Sequence, residues 1–315
     1  MDKFIGVDIG GTKCAVVLGD ENGNILNKIR FNTADCESTV KKIIEAVKSM
    51  GECSAVGISC GGPLDSERGI IMSPPNLPDW DNVPIAQMIH DETGVPVKLC
   101  NDANACAVAE WKFGAGVGQK NMIFLTFGTG LGAGLILGGR LYSGECDFAG
   151  EVGHIRLSDH GPVGYGKSGS FEGFCSGGGI AQLASSMALE LIQQGKKCSY
   201  CESVEDLKDI TAKTVAEKAR EGNADAKEVF AVCGKMLGKG LAVLIDVLNP
   251  GMIVLGSIFA RCEDLLRDAM QEVIDRECLS PAAKACRIVP AKLGESIGDV
   301  AALSVAVTEH RSALQ

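Results

Sequence analysis

A short segment near the N-terminus, residues 4–13, constrains the fold of this chain more than any other. It reads Phe-Ile-Gly-Val-Asp-Ile-Gly-Gly-Thr-Lys, and a second apolar run from Cys14 to Leu18 follows at once. Two apolar runs around a glycine pair predict a tight β-hairpin, with the acidic Asp8 at its mouth. Glycines let backbone N–H groups approach an anion closely, and a carboxylate can hold hydrated Mg²⁺. The segment therefore indicates a site for a metal-bound polyphosphate, with an ordinary glycine turn as the alternative.

The same arrangement occurs a second time. Residues 122–135 read Met-Ile-Phe-Leu-Thr-Phe-Gly-Thr-Gly-Leu-Gly-Ala-Gly-Leu, again an apolar run, a glycine-rich turn with Thr129, and an apolar run. Internal repetition of this kind is typical of a fold built from two related units. Two such hairpins, one per domain, would hold the phosphates of a nucleotide from both sides.

Composition narrows the class of protein. The 315 residues suit two domains of ordinary size, and a hydrophobic fraction of 46% is that of a globular protein. The net charge of −10 argues against a nucleic-acid partner or an anionic membrane surface. The N-terminus leads straight into the first predicted strand, so we expect no signal peptide and a cytoplasmic protein. The fourteen cysteines are scattered, which favours free thiols in a reducing compartment.

The pattern along the chain predicts an α/β fold. After the first hairpin we expect strands at residues 25–31, 55–60 and 95–100, separated by a helix that Ser38 or Thr39 begins and a helix from Pro84 to Gly94. Three hairpin-linked strands followed by alternating helices and strands is the ribonuclease-H-like order. We place the first domain at residues 1–116, with Gly114 to Gly118 as a hinge, and the second domain at 117–298. In the second domain we expect a strand near residues 140–142, a long loop at 144–172 and a buried strand at 252–255.

Four motifs in this order resemble the ROK family of bacterial sugar kinases and repressors. They are Asp8-Ile9-Gly10-Gly11-Thr12-Lys13, Asn101-Asp102, Gly128-Thr129-Gly130-Leu131-Gly132 and Gly150-Glu151-Val152-Gly153-His154. The resemblance implies two ribonuclease-H-like domains of the actin-like ATPase fold around a nucleotide and sugar cleft. It also implies that a closing helix within 299–315 returns to the first domain, and that the chain forms a homodimer.

The implied activity is ATP-dependent phosphorylation of a monosaccharide hydroxyl, on a hexose or N-acetylhexosamine, with Mg²⁺. By resemblance, the residues that bind ATP are Asp8, Gly10, Gly11, Thr12, Lys13, Gly128, Thr129, Gly130, Gly132 and Gly256. Asp8 would hold Mg²⁺ through water. The residues that bind the sugar would be Gly62, Asn76, Asn101, Asp102, Glu151, His154 and Glu172.

Asp102 is the candidate general base. It lies where a predicted strand becomes an alanine-rich helix, so the free N–H groups of the first helical turn would favour its anion. A plain N-cap is the alternative interpretation, and a capped carboxylate of low pKa is a weak base. Phosphoryl transfer tolerates a weak base because it depends mainly on alignment and charge stabilisation. Resemblance assigns Asp102 the catalytic role.

One segment departs from the family. Most members follow the histidine with a Cys-x-Cys-Gly-x-x-Gly-Cys run that, with that histidine, holds a structural zinc ion. Here the run is Val163-Gly164-Tyr165-Gly166-Lys167-Ser168-Gly169-Ser170, and Asp159, His160 and Cys175 nearby have the wrong spacing to replace the thiolates. We predict no structural zinc, and packing of Tyr165 and Phe171 in its place.

Two other functions are compatible with the motifs. Repressors of the family carry a helix-turn-helix ahead of this domain, whereas here the first phosphate strand begins at residue 4, so we do not expect a repressor. A catalytically inactive sugar-binding or regulatory protein is the second alternative. Retention of Asp8, Asp102 and both glycine turns argues against it.

Overall fold

A computed structural model of the chain describes residues 2–313. Its strands are β1 (Lys3–Ile9), β2 (Lys13–Asp20), β3 (Ile25–Asn32), β4 (Ala55–Cys60), β5 (Leu64–Asp65), β6 (Ile70–Ile71), β7 (Val97–Asn101), β8 (Met122–Leu125), β9 (Ala133–Leu137), β10 (Arg140–Tyr142), β11 (Val163–Gly164), β12 (Lys167–Ser168), β13 (Met252–Leu255) and β14 (Arg287–Pro290). Its α-helices are α1 (Cys36–Ser49), α2 (Ile85–Thr93), α3 (Asp102–Phe113), α4 (Phe171–Phe174), α5 (Gly177–Gln193), α6 (Ala212–Arg220), α7 (Ala224–Leu248), α8 (Ile258–Glu277), α9 (Ser280–Ala285) and α10 (Ile297–Ala313).

The first five-stranded sheet has the order β3-β2-β1-β4-β7. Strands β1, β2 and β3 are antiparallel neighbours, whereas β4 runs parallel to both β1 and β7. This is the predicted order of three hairpin-linked strands followed by crossovers. In the register, Ile9 pairs with Cys60, and Cys60 pairs with Asn101. The carboxyl ends of β1, β4 and β7 therefore meet at one edge of the sheet, and the loops that follow them start side by side.

Buried side chains cover both faces of the first sheet, because successive residues of a strand point to opposite faces. Ile5, Val7 and Ile9 of β1 pack in one buried cluster with α1 and α2. Phe4, the alternate residue, packs on the other side with Leu303 of α10. Helix α10 therefore packs on the face of the first sheet opposite to α1 and α2.

The second five-stranded sheet has the order β10-β9-β8-β13-β14. Strands β9 and β10 are antiparallel, and β13 and β14 are parallel. The predicted strands at 140–142 and 252–255 are confirmed, while β14 was not predicted because its four residues, Arg287–Pro290, contain a charge and a proline.

The described residues form two compact units by their internal contacts. Unit 1 comprises residues 2–124, 134–149 and 292–313, and unit 2 comprises Leu125–Ala133 and Gly150–Ala291. The predicted boundary between two domains near residue 116 stays a prediction. No helix among residues 2–313 is both long and apolar enough to cross a membrane.

Two local expectations were wrong in detail. Helix α1 begins at Cys36 rather than at Ser38 or Thr39, because Asp35 caps it by accepting a hydrogen bond from Ser38 N at 2.9 Å. The segment 144–172, expected to be one long loop, contains a 3₁₀ turn at Val152–His154 and a hairpin of β11 and β12. Strands of two residues have no detectable periodicity in sequence.

Candidate active site

The edge of the first sheet positions Asn101 and Asp102. Asn101 ends β7 and is the N-cap of α3, where its Oδ1 accepts hydrogen bonds from Ala103 N at 3.0 Å and Asn104 N at 3.3 Å. These bonds orient the side-chain amide, so that Nδ2 remains as the donor. A Cβ on Gly62 would lie 3.6 Å from Asn101 Nδ2. The structure thus brings together Gly62 and Asn101, two of the predicted sugar-binding residues.

The expectation of a low pKa for Asp102 was wrong. Asn101, not Asp102, is the N-cap, and Asp102 is the first helical residue, with its Oδ1 accepting from Ala103 N at 2.8 Å. The side chain is accessible to solvent, yet desolvation by the surrounding protein raises its pKa and outweighs the hydrogen bond from Ala103. A carboxylate of raised pKa is a stronger base than a capped one. Asp102 is therefore better suited to accept a proton than the sequence suggested.

Asp8 lies on β1 at the same edge of the sheet. Burial raises its pKa to about 6, and repulsion from Asp299 and Asp102 adds to the effect, against a smaller opposing influence of Lys28 and Arg30. A divalent cation bound beside these carboxylates would reduce the repulsion between their negative charges. Among residues 2–313, no three His, Cys, Asp or Glu side chains converge closely enough to hold a metal ion by themselves. Mg²⁺ in nucleotide sites generally uses one or two carboxylates, water and phosphate oxygens, and Asp8 fits that mode.

The first glycine turn is closed by a hydrogen bond from Gly10 N to Lys13 O at 3.1 Å. A Cβ on Gly11 would lie 2.6 Å from the backbone oxygen of Asn76, so only glycine lets the Asn76 loop approach the turn this closely. Thr12 and Lys13 are exposed at the tip of the hairpin. Asn76 belongs to the loop 73–80, which contains three prolines. The structure therefore places this loop directly against the predicted phosphate turn.

The second glycine turn, residues 128–132, is held from both sides within unit 2. Gly128 N donates to Gly130 O at 2.9 Å, and Thr126 Oγ1 accepts from Gly132 N at 3.0 Å. Gly130 and Thr129 form its tip, and Thr129 is exposed. The N–H groups of Gly128, Leu131 and Gly132 donate inside unit 2, so an anion would contact the turn at its tip, at Thr129 and Gly130.

Glu172 connects this turn to the predicted sugar-binding residues. Its Oε2 accepts a hydrogen bond from Leu131 N at 3.0 Å. A Cβ on Gly153 would lie 2.3 Å from Leu131 O and 3.2 Å from the Cβ of Glu172. The 3₁₀ turn that carries Glu151 and His154 thus packs against both the glycine turn and Glu172. Residues 128–132, 151–154 and 172, far apart in sequence, form one cluster, and both Glu151 and His154 present exposed side chains.

Gly256 also joins this cluster. Gly256 N donates to Leu125 O at 2.9 Å, and Ile258 N donates to Phe127 O at 2.9 Å. Ser257, between them, has a φ of 45°, a strained conformation for a residue other than glycine. The strand end at β13 is thereby fixed beside the glycine turn.

Sequence reasoning missed a cavity at the first turns of α5 and α8. Its volume is about 640 Å³, within the usual range for small-molecule sites. The walls come from α5, α6 and α8. Small and apolar residues contribute most of the lining, and the charged lining residues are Lys213, Glu217, Arg220 and Arg261. Gly177 N donates to Gly128 O at 2.8 Å, which joins the cavity to the glycine turn. The only sequence signal was the run Ser176-Gly177-Gly178-Gly179, which leaves the start of a helix uncovered by side chains.

The segment that replaces the family's zinc run is ordered, but not as predicted. Phe171 is fully buried, whereas Tyr165 is 69% exposed and touches the His154 ring edge-on, with 5.2 Å between the ring centres. Cys175 is buried with its Sγ 3.7 Å from Cys233 O, and Asp159 and His160 are exposed. The residues present do not fit a zinc ion, because none of the three family thiolate positions, Val163, Tyr165 and Ser170, has a ligand atom that suits it.

Comparison with known proteins agrees with this geometry. The ROK family model matches residues 4–309. A glucokinase of Streptomyces coelicolor is 33% identical over 97% of this chain and 98% of its own length. A xylose repressor of Caldicellulosiruptor bescii is 29% identical over 88% of this chain but only 66% of its own length.

A solved structure confirms the fold class. The ROK family glucokinase of Streptomyces griseus, solved in complex with glucose and AMPPNP, superimposes with a TM-score of 0.75 at 32% identity, covering 97% of this chain and 99% of that one. Its family shares the actin-like ATPase fold that the resemblance implied. On the family match, the relatives and the shared fold, this chain is a member of the ROK family.

Proposed function

We propose that this chain is an ATP-dependent sugar kinase that transfers the γ-phosphoryl group to a hydroxyl of a hexose or N-acetylhexosamine. The observation that carries the proposal is the pair Asn101-Asp102 at the edge of the first sheet. Asn101 has an oriented amide donor, and Asp102 has a carboxylate of raised pKa. Asp8 lies at the same edge of the sheet, close enough for Asp102 to raise its pKa. End-to-end similarity to a glucokinase supports the same conclusion.

Asp102 acts as the general base in this proposal. Its carboxylate accepts the proton of the attacking hydroxyl, while Asn101 Nδ2 donates to a neighbouring sugar oxygen and fixes the orientation. Because the transition state of phosphoryl transfer is loose, alignment contributes more than base strength. Mg²⁺, held through Asp8 and water, would supply charge neutralisation at the phosphates.

Unit 2 supplies further binding groups. The tip of the 128–132 turn, at Thr129 and Gly130, would offer backbone N–H groups to phosphate, and the small and apolar residues that line the cavity at α5, α6 and α8 would pack against the flat, largely apolar adenine ring. Glu151, His154 and Glu172 offer donors and acceptors that suit a polyol, whose hydroxyls require partners once they leave water. The homodimer and the cytoplasmic location expected from sequence belong to the same proposal.

A sugar-responsive regulator is the second candidate, and the match to a xylose repressor favours it. That match leaves a third of the repressor uncovered, whereas the glucokinase is covered almost completely. A regulator would bind a sugar and not turn it over.

One experiment separates the two candidates. Purified protein with Mg²⁺ and ATP is tested against a panel of monosaccharides by coupled ADP release, and binding of each sugar is measured by calorimetry. We expect one hexose or N-acetylhexosamine to give turnover at 1 s⁻¹ or faster, on the order of ordinary kinases. Tight binding of a sugar without any ADP release would contradict the kinase and favour the regulator.

A further inference from the structure

The loop that carries His154 is held in unit 2 by contacts that do not involve a metal. Gln182, on α5, makes two hydrogen bonds of 3.0 Å with a single residue: its Oε1 accepts from Val163 N, and its Nε2 donates to Val163 O. A side-chain amide that pairs with both backbone groups of one residue imitates a neighbouring β-strand. Val163 stands at the first of the three positions at which the family has a thiolate.

Ser170 stands at the third of those positions and is fully buried. Its hydroxyl accepts a hydrogen bond from Gly173 N at 3.1 Å, which caps α4. The same hydroxyl donates to Gly164 O at 3.4 Å, which connects α4 to β11. Glu172 is the second residue of α4. Ser170 therefore links the loop to a predicted sugar-binding residue.

Lys167 reaches the histidine itself. Its Nζ donates to the backbone oxygen of His154 at 2.6 Å. The Tyr165 ring, at the second thiolate position, covers one edge of the His154 ring. Backbone bonds complete the arrangement: Gly169 N donates to Pro162 O at 3.0 Å, and Gly169 O accepts from Leu157 N at 2.9 Å. A Cβ on Gly169 would lie 2.0 Å from Ser158 O, so the glycine that this chain keeps from the family pattern is still needed.

We propose that Gln182, Lys167 and Ser170 form a hydrogen-bonded brace that does the work of the family's zinc site and positions His154 and Glu172 for the sugar. The three are positioning residues: they touch the loop, not the substrate. Each bond contributes modestly, but together they fix the loop from β11, from α4 and from the histidine backbone. The role in sugar binding rests on the proposed function, whereas the bracing of the loop does not.

The first test therefore measures the loop without any activity. Hydrogen exchange followed by mass spectrometry is compared for wild type, Gln182→Leu and Gln193→Leu. Gln193 is the matched control, an exposed glutamine three turns later on the same side of α5. We expect amides within 155–170 to exchange about ten-fold faster in Gln182→Leu only, as loss of one or two hydrogen bonds implies. Unchanged exchange with an intact thermal transition would overturn the brace.

The second test separates the brace from the proposed function. With the sugar found active for wild type, Gln182→Leu and Lys167→Met should raise KM for that sugar about five-fold or more, with KM for ATP unchanged. Lys197→Met, at an exposed lysine, is the control for Lys167. An effect on kcat and ATP alone would contradict the positioning role. If wild type phosphorylates no sugar, the kinase proposal fails while the exchange result still decides the brace.

Elemental analysis of the purified protein adds an independent criterion. We expect much less than one zinc per chain and unchanged loop exchange in a strong chelator. One zinc per chain, with faster loop exchange after its removal, would overturn the proposal.

Discussion

The two glycine turns share a sequence pattern but lie in different electrostatic surroundings. The turn at 10–13 follows a strand whose Asp8 is repelled by Asp102 and Asp299. The turn at 128–132 has Glu172 as its acidic neighbour, already accepting a backbone hydrogen bond, and it adjoins an apolar cavity. A shared sequence pattern therefore lies in two different surroundings: the first turn is at an acidic edge that we propose for a cation and a proton acceptor, and the second is near a cavity that we propose for a flat, apolar ring.

The largest effect is expected from neutralising the proposed base at the acidic edge. We expect Asp102→Asn to lower kcat by about 10²–10⁴ while the sugar Kd changes only a few-fold, because the substitution removes the proton acceptor and keeps the shape. Steady-state kinetics and calorimetry measure the two quantities. Asp91→Asn, at an exposed aspartate on α2, is the control. Near-native turnover in Asp102→Asn would remove this residue from the mechanism.

The pH dependence of the wild-type rate tests the ionisation of Asp102. Asp102 must be ionised to accept a proton, and desolvation by the surrounding protein raises its pKa. We therefore expect kcat/KM to fall on acidification through a pKa above the ordinary value of 3.8. A rate that stays constant down to the ordinary value would show that the carboxylate is not desolvated in solution.

A second substitution on the acidic edge tests the raised pKa of Asp8, which burial causes and the neighbouring carboxylates increase. The pKa of Asp8 is raised from 3.8 to about 6, so ionising it costs folding free energy that is absent below the lower value and complete above the higher one. In Mg²⁺-free buffer we expect Asp8→Asn to raise the free energy of unfolding at pH 8 by up to about 3 kcal/mol, and much less near pH 4. Denaturant unfolding at both pH values measures this gain, and the Mg²⁺ requirement of the variant should rise. A pH-independent difference in the free energy of unfolding would contradict the raised pKa of Asp8.

The smallest effect is expected on the side of the second turn. Gly178 lines the cavity, and a Cβ there would meet nothing within 4 Å, so Gly178→Leu can partly fill the cavity without straining the fold. We expect KM for ATP to rise about ten-fold with little change in the KM for sugar. Gly178→Ala, which adds one carbon, should have a much smaller effect. If both variants leave KM for ATP unchanged, the adenine ring does not bind in this cavity.

Much of the molecule was predictable from local pattern. Apolar runs and glycine turns located β1, β2, β4, β10 and β13 to within a residue or two, because hydrophobic periodicity and turn chemistry are local properties of the chain. The helix from Pro84 to Gly94 was confirmed for the same reason, since its ends are set by a proline and by a glycine with positive φ. The motifs also identified the family, which the family match confirms.

Sequence alone determined the family, the two glycine turns and the identity of the candidate base. Tertiary structure decided how that base behaves. Asn101 is the N-cap of α3, so Asp102 does not have the low pKa of a capping carboxylate, and desolvation raises its pKa. It also decided what orders the loop around His154, where Gln182, distant in the chain, supplies the hydrogen bonds to Val163. Desolvation and long-range hydrogen bonding depend on which atoms surround a group after folding, and no local pattern of residues contains that information.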